Sequence, residues 1–423
     1  MRVLVTGANG FIGARVVAGL RDAGHEVVAA QRLAVAADTI ACDFARDIAA
    51  ETWKPRLAGI DVVVNCAGIL RETGNNTFQH VHVDAPLALF RACAATGVRR
   101  VIQLSALGEA EDGEFIASKH RCDEALAVLD LDWLVLRPGL VYSAHGAYGG
   151  TLLLRALAAL PAASVVPGDG TQRMRPIALE DLVAAIVAAL AQPALRAQIV
   201  ELVGPEALTL RDFLAAWRRW FGLNAQRTLA TPRWLANAAV AIGEVSGRGP
   251  LCRVIANLLE RGRIGGADAL ARTQALLGRA PTTLAQSLAQ RPSDARDWLQ
   301  ARWYFSRPLL LVALAIVWIG SGVVGFSLAQ AVAVAALPGW PPAFVRTAAL
   351  LASFANILLG FAVLTGWATR WVLGLMLMMV SAYTLLIGIG APLHWLDPFG
   401  GLLKNIAIIA SIVVLLALET PRR

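Results

Sequence analysis

Charge is scarce in this chain: 16% of its 423 residues are Asp, Glu, Lys or Arg, against 57% that are hydrophobic. That balance excludes a wholly soluble protein. Cysteine is scarce too. Cys42, Cys66, Cys93, Cys122 and Cys252 form no CxxC pair and have no histidine at metal-ligand spacing. This excludes a disulfide framework and predicts free thiols and no metal site. The opening "MRVLVTGANGFIG" has only a few apolar residues before its glycines, too short a run for a secretory signal. Internal repeats and low-complexity tracts are absent. The net charge of +8 comes from arginines spread along the chain and beside apolar segments, which predicts a membrane-lipid surface as partner and no nucleic acid.

Apolar sequence is concentrated after Pro308. Four windows, about 308–328, 347–366, 371–389 and 399–418, approach or exceed the roughly 20 residues that cross a bilayer as a helix. Arg302 and Arg307 precede the first, Arg370 lies in the second connection, and Arg422 and Arg423 follow the fourth. The connections 329–344 and 391–398 carry no Lys or Arg. By the positive-inside rule the chain is expected to be integral to the inner (cytoplasmic) membrane, with four spans and both termini cytoplasmic. Trp298, Trp303 and Tyr304, with Arg302 and Arg307, read as an interfacial belt holding the preceding domain near the bilayer, so a substrate is expected to be a hydrophobic small molecule. Lys404 lies inside the last window, seven residues after Asp397, and Asn356 inside the second. They are candidates for a polar cluster in the bundle, with outward snorkelling of Lys404 as the alternative.

Ahead of the spans, "RVLVTG" is a short β-branched run followed by Gly7, Asn9, Gly10, Phe11, Ile12 and Gly13 and then by an apolar helix pattern. Strand, glycine loop and helix in that order let a backbone approach a pyrophosphate at the positive end of a helix. The next strand, "EVVAA", ends at Gln31 and Arg32 with no acid to hold ribose hydroxyls. An arginine there pairs with a 2′-phosphate, so NADP(H) is expected before NAD(H); a solvated loop arginine is the competing role. The strand "DTIACDF" brings Asp43 and Phe44 to the expected adenine side, and "IDVVVNCAG" brings Asn65, Ala67 and Gly68 to a strand end. A helix over 77–96 carries His82, "RVIQLSA" ends at Ser105, and "DWLVLRPGLVY" ends at Tyr142. Alternating strands and helices predict an α/β, doubly wound parallel Rossmann sheet over 1–222. A helical part and interfacial linker over 223–304 and an all-α four-helix transmembrane bundle over 305–423 are expected to follow.

The motifs "TGANGFIG", "NCAG", "LSALG", "SKHRCDEAL" and "LRPGLVY" stand in an order that resembles an atypical, extended short-chain dehydrogenase/reductase, the epimerase/dehydratase-like group. "HVHVDAPLALFRACAATGVRRVIQLSA" most resembles the branch of the nucleotide-binding accessory subunit of respiratory complex I. "DPFGGLLKNIAIIASIVVLLALE" resembles DoxX-like four-helix membrane proteins. In active reductases of this kind a serine holds the substrate oxygen, a tyrosine exchanges the proton, and a lysine lowers the tyrosine pKa and holds the nicotinamide ribose. The resemblance places these roles at Ser105, Phe115 and Lys119, so the proton donor is replaced by a phenyl ring. It places His82 where a relay asparagine stands. Tyr142, His145 and Tyr148 follow a strand end and are candidate substitute donors. Three readings stay open: a membrane-anchored NADP(H)-binding module with a structural, assembly or sensing role beside a membrane protein partner; an NADP-dependent oxidoreductase of a hydrophobic carbonyl or quinone; and a sugar-nucleotide epimerase or dehydratase.

Overall fold

Val3 to Val5, Val62 to Val64 and Leu134 to Leu136 are buried without polar alternation, as strands covered on both faces are. They belong to a seven-stranded sheet in the order Gln198–Leu202, Asp132–Pro138, Arg100–Leu104, Val62–Asn65, Arg2–Thr6, Glu26–Gln31, Thr39–Ala41. Every neighbouring pair in it is parallel. The chain leaves the central strand Arg2–Thr6 toward one edge and returns on its other side at Val62–Asn65. Order reverses between these two strands, and the crevice outside their carboxyl ends is where such sheets bind ligands. The computed structural model describes the chain apart from residues 37, 225–226, 247–252, 328–333, 335–338, 367, 399 and 420–423. Cys252, Arg422, Arg423 and most of the first connection between spans thus lie outside the described residues. Two compact units are present, Met1–Arg302 and Trp303–Arg423.

Helices cover both faces of the sheet. Gly13–Asp22 and Leu179–Leu190 bury Val16, Leu20, Leu182 and Ile186 on one side. A Cβ on Gly19 would stand 2.4 Å from Val183 Cγ1, so glycine permits these two helices to touch. Ala85–Thr96 and Glu114–Ala127 bury Leu89, Phe90 and Leu126 on the other, where Trp53 joins them. Each such large apolar side chain contributes roughly 1.5–3 kcal/mol by burial.

Three elements depart from the sequence expectation. The third strand stops at Ala41. Asp43 lies in a turn, its carbonyl accepting from Arg46 and Asp47 N–H and its own N–H donating to the Asp47 carboxylate, so Asp43 and Phe44 do not end the strand. The run through "DWLVLRPGLVY" breaks into Asp132–Pro138 and Val141–Tyr142; at the break, Gly139 passes so near Arg175 that a Cβ would lie 2.7 Å from its carbonyl oxygen. The helix expected over 77–96 begins as a π-helix, Gln79–Asp84, before becoming α-helical. Pro86 has no N–H to offer the carbonyl of residue 82 and its ring crowds that carbonyl, which a widened turn accommodates.

Among the described residues, four helices are long and apolar enough to cross a bilayer. They are Ala295–Ser327, Pro342–Thr365, Thr369–Gly390 and Gly401–Leu418. The first starts well before Pro308, which lies inside it. Its start is capped by the Asp294 carboxylate, which accepts N–H groups of Arg296 and Asp297 at 2.8 and 3.0 Å. Gly322 and Gly325 meet Ser353, and Gly360 meets Ile319, at distances no larger residue would allow, the small-residue packing usual between apolar helices. Arg307 Nε donates to Glu419 at 2.7 Å, and Asn405 to Thr384 Oγ1 at 2.9 Å. Asp397 follows a 3-10 turn, Pro392–Leu396, and precedes the last helix. The seven-residue spacing therefore does not set it on one helix face with Lys404. Lys404 is exposed and Asn356 half-buried.

Candidate functional site

Backbone geometry makes the site before side chains do. Gly7 has φ +64°, and a Cβ there would come 2.8 Å from the Cys66 carbonyl oxygen, so the loops after the two central strands can approach only through glycine. A Cβ on Gly13 would strike the Gly7 carbonyl oxygen at 2.1 Å. Gly10 N–H donates to that oxygen at 2.9 Å. The loop is thus a bare backbone cradle opening on the first turn of the helix Gly13–Asp22, whose amino end carries partial positive charge. This cradle fits a pyrophosphate.

Beside it lies a cavity of about 340 Å³. Gly10 to Gly13, Ala67 and Gly68 form one end, and Ser105, Phe115 and Lys119 lie along it. The remainder is chiefly apolar, with Ile69, Leu107, Leu140, Met174, Ile255 and Leu259 in the wall and Tyr148, Thr151 and Arg263 as polar exceptions. The helix Arg253–Arg261 supplies Ile255 and Leu259. Sequence reading missed this wall, and Arg263 with it, because nothing in a surface helix pattern announces what it will cover.

Lys119 is buried, and its ammonium donates to the Leu104 carbonyl at 3.1 Å. A Cβ on Gly68 would be 3.4 Å from Lys119 Nζ, which fixes the lysine at the loop that shapes the cavity. Burial pulls its pKa below the usual lysine value, with the charge of Asp123 opposing. The Phe115 ring centroid is 5.9 Å from Lys119 Nζ. Ser105 donates its hydroxyl to Asp123 Oδ2 at 2.7 Å, and the same oxygen accepts from Arg137 Nε and a terminal nitrogen at 3.0 and 2.9 Å. Burial raises the Asp123 pKa against those hydrogen bonds from Ser105 and Arg137. Asp123 follows Lys119 by four residues on one helix face, a spacing that could have revealed it.

His82 is buried under the cavity. Its Nε2 accepts the Ile69 N–H at 3.0 Å, which leaves Nδ1 to donate to Ser118 Oγ at 2.9 Å. Burial first, and the charge of Lys119 second, hold its pKa well below the ordinary histidine value. A neutral imidazole therefore pins the loop after Gly68 to the helix carrying Lys119. Asn65 is equally occupied: its Oδ1 accepts from Thr6 Oγ1 and Ala67 N–H, and its amide donates to Gln103 at 2.7 Å.

The other expected residues are dispersed. Asn9 and Arg32 are exposed, Arg32 just past the strand Glu26–Gln31. Asp43 is half-buried, and Phe44 packs edge-on to Trp53, centroids 5.5 Å apart. Of the three candidate substitute donors, Tyr148 lines the cavity. His145 is exposed outside it. Tyr142 is fully buried, edge-on to Phe213 and Trp217, and burial raises its phenol pKa; the cavity does not reach it.

Sheet order and glycine cradle together define an NAD(P)-binding Rossmann protein. Residues 3–202 match the NAD dependent epimerase/dehydratase family, and residues 315–413 the DoxX-like family. An epimerase family protein of Mycobacterium bovis is 30% identical over 294 residues, which cover 61% of this chain and 91% of that relative. The chain belongs to the NAD dependent epimerase/dehydratase family and carries a DoxX-like domain after it. An uncharacterized protein of Mycobacterium tuberculosis is 31% identical over 232 residues, 52% of this chain; the match spans 23% of that relative's length. Ceramide reductase of Caulobacter vibrioides is 25% identical over 283 residues, covering 56% of this chain and 86% of that one. Human epimerase family protein SDR39U1, solved with NADPH, superposes with a TM-score of 0.52 at 20% identity, covering 69% and 98% of the two chains. UDP-glucuronic acid 4-epimerase from Bacillus cereus, solved with NAD, does so with 0.51 at 19% identity, covering 71% and 100%. At such identities the likeness is one of fold.

Proposed function

We propose that this chain is a membrane-anchored NADP(H)-binding module, with the nucleotide unit and both termini cytoplasmic, in which cofactor binding is retained and carbonyl chemistry is weak. The observation that carries this reading is the pairing of Lys119, fixed on Leu104 beside the glycine cradle, with a phenyl ring at Phe115. Gly7, Gly10 and Gly13 would take the pyrophosphate, Lys119 the nicotinamide ribose and Arg32 the 2′-phosphate. The bound nicotinamide supplies hydride chemistry. General acid assistance to such chemistry is typically worth about 10²–10⁴-fold, and Phe115 has no proton to give. Cys66, also on the cavity, keeps its proton, its pKa pushed up to about 12 by burial. A structural, assembly or sensing role, beside a membrane protein partner, follows from binding without efficient turnover.

A second reading, an NADP-dependent oxidoreductase of a hydrophobic carbonyl or quinone, is favoured by the apolar wall and by the Tyr148 phenol on it. Its kinship with ceramide reductase points the same way. Sugar-nucleotide epimerisation comes third, because the wall is apolar and the tyrosine position holds Phe115.

The deciding experiment combines NADPH titration with turnover on a carbonyl and quinone panel, using the full chain in lipid. Lys119→Ala should weaken binding about tenfold or more, the scale of losing a charged hydrogen bond, and Phe115→Ala should leave it nearly unchanged. Robust NADPH oxidation that is lost in Tyr148→Phe would replace the binding-module reading with the oxidoreductase.

A further inference from the structure

The helix Arg233–Ser246 shows water an apolar face that a soluble protein has no reason to keep. Trp234, Leu235 and Ile242 are 71%, 45% and 70% exposed, at spacings that share one side of a helix. Its other side is held by the protein: Ala236, Ala239 and Val240 are half-buried, and Gly243 is buried, its carbonyl accepting from Arg71 at 2.9 Å. The strand leading into it, Thr228–Thr231, is fixed in parallel pairing with Ser164–Pro167 and exposes Leu229 by 58%. From residue 213 to residue 243 the charge has one sign, with Glu244 following in the last turn of the helix. No Asp or Glu occurs between Asp212 and Glu244, and Arg219, Arg227 and Arg233 there are exposed.

We propose that the Arg233–Ser246 helix docks this unit on a bilayer surface containing anionic lipid. Three observations select lipid as the occupant. Four apolar helices of the same chain are long enough to span a membrane, and such a tether keeps a bilayer at high effective concentration. A tryptophan beside an arginine at a helix start suits the headgroup boundary. An acid-free segment with exposed arginines complements anionic headgroups. The next helix, Arg253–Arg261, packs on this one and walls the cavity with Ile255 and Leu259. An apolar ligand could then reach the cavity from lipid without crossing water. The proposal rests on the membrane reading of the four helices and is independent of whether the cavity turns over NADPH.

The test uses the full chain in nanodiscs of phosphatidylcholine, with and without phosphatidylglycerol. A spin label is placed at Ile242→Cys or, as a control, at Val128→Cys, a position 83% exposed; the unmodified chain gives the background from native thiols. With phosphatidylglycerol, the label at 242 should collide with oxygen several-fold more readily than with a water-soluble nickel chelate, and the label at 128 should not. Reversing both Arg227 and Arg233 to Glu should lower the docked fraction roughly tenfold or more, since one basic residue near such a surface is worth about fivefold. Equal water accessibility at both positions would overturn the proposal. So would equal docking without anionic lipid, or label-to-label broadening from a second copy covering the face. A chain that remains soluble without lipid or detergent would remove the membrane reading itself, and the docking with it.

Discussion

Arg32 and His82 show how differently two residues of one site can be read. Arg32 stands exposed past the strand Glu26–Gln31, and its proposed task is recognition of a 2′-phosphate. Arg32→Asp should therefore invert the order of NADP(H) and NAD(H) affinities in a titration of the full chain; unchanged preference would remove that task. His82 instead has both ring nitrogens engaged inside the protein. Its folded pKa lies below the unfolded value near 6.5. The unfolded chain thus binds the extra proton first as pH falls, and stability declines below about pH 6.5, at a limit of about 1.4 kcal/mol per pH unit. Urea titrations between pH 7.5 and 5 should show that decline, and His82→Gln should flatten it. The glycines and Lys119 were legible in the sequence because backbone bareness and a motif lysine announce themselves. Most partners of His82, Asn65 and Ser105 were not, because Ser118, Thr6, Gln103 and Asp123 come from strands or helices distant in the chain.

Among elements, the alternation of β-branched runs with apolar helix patterns made the parallel sheet readable, since every strand buried on both faces must look alike. The π-helix Gln79–Asp84 was hidden, because widening by one residue leaves the apolar pattern nearly intact. Hidden too was the seam around the helix Gly150–Ala158. There Arg155, buried, donates to Asp297 at 2.6 Å while its guanidinium lies 5.0 and 4.9 Å from the Trp217 and Trp220 ring centroids. Asp297 also accepts from Arg291 at 3.3 Å, so Arg155→Ala leaves it a partner, whereas Asp297→Ala strands the buried Arg155 charge and should cost about 3–5 kcal/mol in unfolding titrations. Arg155→Met with Asp297→Leu should recover much of that loss. Gly7→Ala should also destabilise, by about 1–2 kcal/mol from left-handed backbone alone, and the clash with Cys66 should lower nucleotide affinity too.

At the scale of the whole molecule, the arginine asymmetry of the connections sets the expected topology. Reporter fusions at Gly339 and Pro392 should report outside and one at Thr369 inside; the opposite pattern would put the nucleotide unit where NADP is scarce and end the proposed function. Four apolar windows were legible because lipid demands length and little else. The start of the first helix was not, since Ala295 to Arg307 is amphipathic and its turns are set by the Asp294 cap and by Asp297 facing Arg155. That contact also orders events during synthesis. A chain made from its amino end exposes Arg155 long before Asp297, and Asp297 leaves the ribosome directly ahead of the first apolar span. The nucleotide unit therefore completes its last buried ion pair only as that span is being delivered to the membrane machinery. Ribosome-bound chains stalled before Asp297 should be cleaved by protease near Arg155, and chains stalled beyond the first span should be protected there, so that finishing the nucleotide unit and committing it to a membrane become one timed step.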